Sequence, residues 1–103
     1  MNAVFTWTLP SVNGSGFPQN LESILHTAIE TSANNGVDWV LVELVDPSDP
    51  QTTRQDNMSD GPWQVRATII GTNGKSSLNP AVVPFVIDDS APGDIEDLLV
   101  TIE

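Results

Sequence analysis

Short apolar segments separated by turn residues recur along this chain, at 3–9, 24–30, 37–45, 63–70, 81–87 and 98–102. In the first, Phe5, Trp7 and Leu9 alternate with Thr6 and Thr8. In the fourth, Trp63, Val65, Ala67 and Ile69 alternate with Gln64, Arg66 and Thr68. A period of two puts one set of side chains on a single face, so both segments predict half-buried β-strands. Between the segments stand Asn13-Gly14, Asn35-Gly36, Asp60-Gly61-Pro62 and Asn73-Gly74, where glycine supplies the positive φ that tight turns need. Several short strands at this spacing predict an all-β sandwich or barrel. Segment 24–30 is the ambiguous one, because Leu21, Ile24, Leu25, Ala28 and Ile29 recur at helical spacing behind a candidate cap, Asn20. A strand is still the expectation there, since the sandwich needs a partner on that sheet and tertiary context overrides local periodicity.

Two segments depart from one-sided alternation. Residues 37–45 read Val-Asp-Trp-Val-Leu-Val-Glu-Leu-Val, with Trp39 and Leu41 on one face and Val40, Val42 and Leu44 on the other. A strand in a free two-layer sandwich is polar on its outer face, so one of these faces is left for a covering loop or a docking partner. Residues 81–87 are apolar on both faces too, and Pro84 removes a ladder donor from the middle, which marks an edge strand. An apolar edge invites pairing with another chain, making Val83 and Phe85 interface candidates beside Trp39 and Leu41.

The 103 residues fit one domain, 1–103, and can bury a conventional core. Fourteen acidic side chains against Arg54, Arg66 and Lys75 give a net charge of −11. Such a surface lacks the cations that a phosphate backbone requires, so no nucleic-acid partner is expected. The absence of cysteine rules out disulfides, thiolate metal sites and a cysteine nucleophile. No apolar run is long enough to cross a bilayer as a helix, and no leader pattern follows Met1. The expectation is a protein made in the cytoplasm with no membrane partner.

Catalytic patterns are scarce. His26 is the one histidine, and no nucleophile elbow accompanies it. Carboxylates cluster at Asp46 and Asp49, at Asp88 and Asp89, and at Asp94, Glu96 and Asp97, each beside Pro or Gly in an expected loop. Acid catalysis by a carboxyl needs a dry pocket that raises its pKa, which exposed loops do not supply. Loop 88–94 has oxygen ligands but not the spacing of an EF-hand. The expectation is therefore no enzyme, no cofactor and no metal.

Taken together, Phe5-Thr6-Trp7-Thr8-Leu9-Pro10, Gly61-Pro62-Trp63-Gln64-Val65-Arg66-Ala67-Thr68 and Asn73-Gly74-Lys75-Ser76-Ser77 resemble the second strand, the sixth strand and the following turn of a fibronectin type III domain. The resemblance covers about residues 3–88 and implies an immunoglobulin-like sandwich of about seven strands, with Trp7 and Trp63 in the core. Trp63 stands where that family usually has tyrosine. Met1 lies only six residues before Trp7, so the family's first strand is missing. Segment 98–102, in which Leu98, Val100 and Ile102 alternate, resembles such a strand at the wrong end, behind a linker at 88–97. It is expected to replace the first strand, folding back as a permutation or entering a neighbouring copy, so these three residues join the interface candidates. Freestanding domains of this kind resemble small structural proteins of tailed phages. That resemblance implies a virion component, a capsid decoration or a tail, fibre or baseplate accessory, oligomeric and docked on other virion proteins or copies of itself. A carbohydrate or cell-surface adhesion module, resting on an exposed aromatic such as Trp39, is the alternative.

Overall fold

In the computed structural model, which describes residues 1–77, 79–88 and 95–102, the ambiguous segment is a strand. Asn20 does cap, its side chain accepting from the Glu22 amide at 3.0 Å, but only the 3₁₀ turn Leu21–Ser23 follows. Beyond it, the β-branched Thr27, Ile29 and Thr31 favour extended backbone and pack inward. The strands are β1 (Ala3–Thr6), β2 (Ile24–Ser32), β3 (Val40–Val45), β4 (Thr52–Gln55), β5 (Gly61–Gly71) and β6 (Ala81–Ile87). They form two antiparallel sheets, ordered β3-β2-β5-β6 and β1-β4, and no α-helix occurs among the described residues.

Contacts between the sheets fix which face is inner. The Thr31 hydroxyl donates to Gln55 Oε1 at 2.8 Å, the Thr53 hydroxyl donates to the Glu43 carboxylate, and Phe5 meets Phe85 edge to face at 5.5 Å. Register then assigns the rest: Ile29 lies opposite Glu43 and Ala67, and Thr27 opposite Val45 and Ile69. Ile24, Ile29, Val45, Met58 and Ile87 are the buried apolar centre. Trp7 and Trp63 are not fully inside it. Both are half-buried, because each indole N–H reaches an acceptor at the surface, Gln51 Oε1 at 2.7 Å and the Ser59 carbonyl at 3.0 Å.

Three further expectations are corrected. Among the described residues six strands form rather than about seven, and β4 has no counterpart among the expected segments because Thr-Thr-Arg-Gln carries no apolar period. Simple alternation put Leu41 and Leu44 on opposite faces. A bulge moves the register between Ile29 and Glu30, so Leu41 pairs with Glu30 and Leu44 with Ala28, and both point outward. In the Asn13-Gly14 turn the positive φ falls on Gly16. At Asn35-Gly36 both residues are left-handed, and a Cβ on Gly36 would stand 3.0 Å from Gln64 Oε1.

Residues 95–102 contain no strand, and Leu98, Val100 and Ile102 are 81%, 85% and 91% exposed. The segment does not fold back to replace the first strand within this chain. Most of the linker at 88–97, including most of the calcium-candidate loop, lies outside the described residues.

Candidate functional site

An imbalance between the sheets creates the most distinctive surface of the molecule. Four strands present an inner face that only two strands cover. β1 is four residues long, pairs with β4 on one side, and leaves its other edge without a strand partner among the described residues. Past the end of β1 lies a groove of about 760 Å³ whose walls include Trp7, Ile24, Ala67, Ile69 and Ala81. Ala67 and Ile69 come from the alternating face of β5, and Ala81 opens β6 opposite Ala67. Val83, further along β6, is 56% exposed.

Polar side chains share the groove wall with the apolar ones, among them Asn13, Ser23, Asn73, Ser77 and Asn79. Lys75 lies on its wall, in the turn after β5, and makes no ion pair with the described residues. Thr27 also borders it, 1% exposed, and its hydroxyl has no hydrogen-bond partner among the described residues. An orphaned buried hydroxyl costs about 1–3 kcal/mol of desolvation. Thr27→Val keeps the shape and removes that cost, so the variant should raise the urea midpoint at constant m value, by about 1 kcal/mol of stability. A lower midpoint shows that the hydroxyl is satisfied after all.

The outer face of the larger sheet is mixed. Leu41, Leu44, Val82 and Val86 are roughly half exposed or more there. Arg66 interrupts them, bound to Glu30 Oε1 at 2.8 Å and stacked over Trp39 at 4.3 Å. Trp39 is thereby half-buried in the loop before β3, with one ring face taken by a guanidinium. The loop itself is tied by Ser32, whose Oγ accepts from the Gly36 amide at 2.9 Å and donates to Asn34 Oδ1 at 2.8 Å.

The residues singled out in the sequence therefore fall in four places. Trp39 and Leu41 belong to the outer face, and Val83 to the uncovered part of the inner face. Phe85 is engaged with Phe5 between the sheets. Leu98, Val100 and Ile102 project from the C-terminal segment. Trp7, Ala67, Ile69, Lys75 and Ala81 at the groove were missed as a site. The signal that finds them is the inward parity of β5, which puts Ala67 and Ile69 on one face.

Among the described residues, no group of three or more His, Asp or Glu side chains is placed to hold a metal ion. His26 is half-buried on β2, opposite Ile70. Asp46 has its pKa lowered, first by the Ser48 amide and then by the Ser48 hydroxyl, both of which bond its carboxylate. This is a turn, not a reactive centre. No family model matches the chain, and no curated protein or solved structure shows significant similarity to it.

Proposed function

We propose that this chain is a non-enzymatic structural subunit that works by docking its uncovered sheet surface on other protein subunits. The observation that carries the proposal is the mismatch between four strands and two, which leaves a free strand edge on β1 and an open groove of mixed polarity past its end. Main-chain groups on such an edge give affinity to an added strand, and pockets for alternate side chains give selectivity. A surface with a net charge of −11 keeps copies dispersed until a complementary partner is met.

The strand order and the half-buried tryptophans fit a fibronectin type III-like sandwich that lacks its first strand. By analogy with phage domains of that type, the assembly is a virion, and the chain is a capsid decoration or a tail, fibre or baseplate accessory. The adhesion alternative draws no support from Trp39, since a sugar platform needs a free aromatic face and Arg66 stacks on this one. Mass spectrometry of virions, purified from cells carrying the gene and washed at high salt, tests the reading. A stoichiometric signal from this chain is expected, and its absence from the particle overturns the virion assignment.

A further inference from the structure

We propose that Asn13 is a site of spontaneous covalent modification, in which the Gly14 backbone nitrogen attacks the Asn13 side-chain amide, expels ammonia and leaves an aspartate or isoaspartate in the loop after β1. The modification is independent of the docking role proposed above.

Asparagine followed by glycine occurs three times, at Asn13-Gly14, Asn35-Gly36 and Asn73-Gly74. Glycine has no Cβ to hinder its own nitrogen, so all three pairs are competent in a free chain. All three asparagines are exposed. What the fold changes is the state of the two reacting groups. Asn13 Oδ1 accepts from two backbone amides, that of Ser15 at 3.0 Å and that of Phe17 at 3.1 Å. Attack on Cγ drives negative charge onto this oxygen, and two N–H donors already aimed at it stabilise the tetrahedral adduct more than the amide, as an oxyanion hole does. The Ser15 bond closes a ring that includes both Asn13 Cγ and the Gly14 nitrogen, so the side chain is folded forward along the chain. Gly14 is exposed, and its N–H has no acceptor among the described residues, which leaves the proton open to hydroxide or buffer.

At the other two pairs the nucleophile is held. The Gly36 amide donates to Ser32 Oγ at 2.9 Å, and Asn35 Oδ1 accepts no hydrogen bond among the described residues. The Gly74 amide donates to the Gly71 carbonyl at 3.0 Å, and Asn73 Oδ1 has a single donor, the Lys75 amide at 3.0 Å. An amide in a hydrogen bond must give it up before its nitrogen can attack, so these pairs are slower at the nucleophile and less activated at the carbonyl.

The step needs no reactant besides water. The Gly14 nitrogen loses its proton to solvent and bonds to Asn13 Cγ, the Cγ–Nδ2 bond breaks as Nδ2 leaves as ammonia, and water opens the cyclic imide at either carbonyl. Either product puts a carboxylate on a residue that lines the groove together with Lys75. The isoaspartate also inserts a methylene into the main chain, within the loop closed by the bonds from Asn13 to the Phe17 carbonyl and from Gly16 to the Asn13 carbonyl.

Incubation of the native chain at mildly alkaline pH, followed over time by peptide mapping with mass spectrometry, gives the three rates. Asn13 is expected to deamidate at least about tenfold faster than Asn35 and Asn73, the factor that about one hydrogen bond of difference supplies. In urea sufficient to unfold the chain the three rates should converge, because each pair is then the same dipeptide in an open chain. A native lead for Asn13 of less than about tenfold, or a lead that persists undiminished in urea, overturns the proposal.

Discussion

Ile29→Ala should lower the stability of the domain by about 2–5 kcal/mol, the largest loss expected from any single truncation here. Ile29 is 1% exposed and sits in the central strand pair of the larger sheet. Its lateral neighbours on the inner face are Glu43 and Ala67, neither of which can swing in to refill the space. The penalty is therefore the transfer free energy of the lost carbons plus a cavity that the sheet backbone keeps open. A domain of this kind has about 5–15 kcal/mol in total, so the variant stands near its unfolding threshold at 37 °C. Urea titration followed by tryptophan fluorescence measures the loss, with Leu25→Ala as the control. Leu25 is 49% exposed on the same strand, and its truncation should cost about 0.5 kcal/mol or less. Equal losses for the two would show that the centre of the sandwich has been misplaced.

Much of this architecture was legible in the chain, and the gaps have physical causes. β1, β5 and β6 followed from alternation and turn residues because each has one plainly apolar parity or a telling proline. β2 was legible only through the argument that a sandwich needs it, since its helical spacing comes from Leu25 and Ala28, which lie off the inner face. β4 was invisible because its one buried side chain, Thr53, is held by a hydroxyl bond to Glu43 and not by apolar area. The face assignment of β3 failed at a bulge, and a single extra residue reverses every side chain beyond it. The two tryptophans were placed too deep. Their size marks them as core candidates, but an indole N–H needs a partner, and here the partners sit at the rim. The groove was half legible: alternation puts Ala67 and Ile69 on one face of β5, whereas their place next to Ala81 depends on the register of β5 against β6.

Phe5→Ala should release the smaller sheet before the larger one unfolds. β1 and β4 pair through four residues each, and a two-stranded ribbon is marginal in water unless its face packs on something. Apart from the bonds of Thr31 and Thr53, the anchor between the layers is the edge-to-face pair of Phe5 and Phe85, with ring planes at 67°. Such a pair contributes about 0.5–1.5 kcal/mol beyond its buried area. Full truncation of a buried phenylalanine costs about 3–5 kcal/mol, and because Phe5 is half-buried about 2–3 kcal/mol is expected. The loss should be unevenly distributed. Amides of β1 and β4 should exchange with deuterium much faster in the variant, while those of β2 and β5, each paired on both sides, keep their protection. Uniformly faster exchange across all six strands would mean that the two sheets form one cooperative unit and that Phe5 is not the hinge on which the smaller one is held.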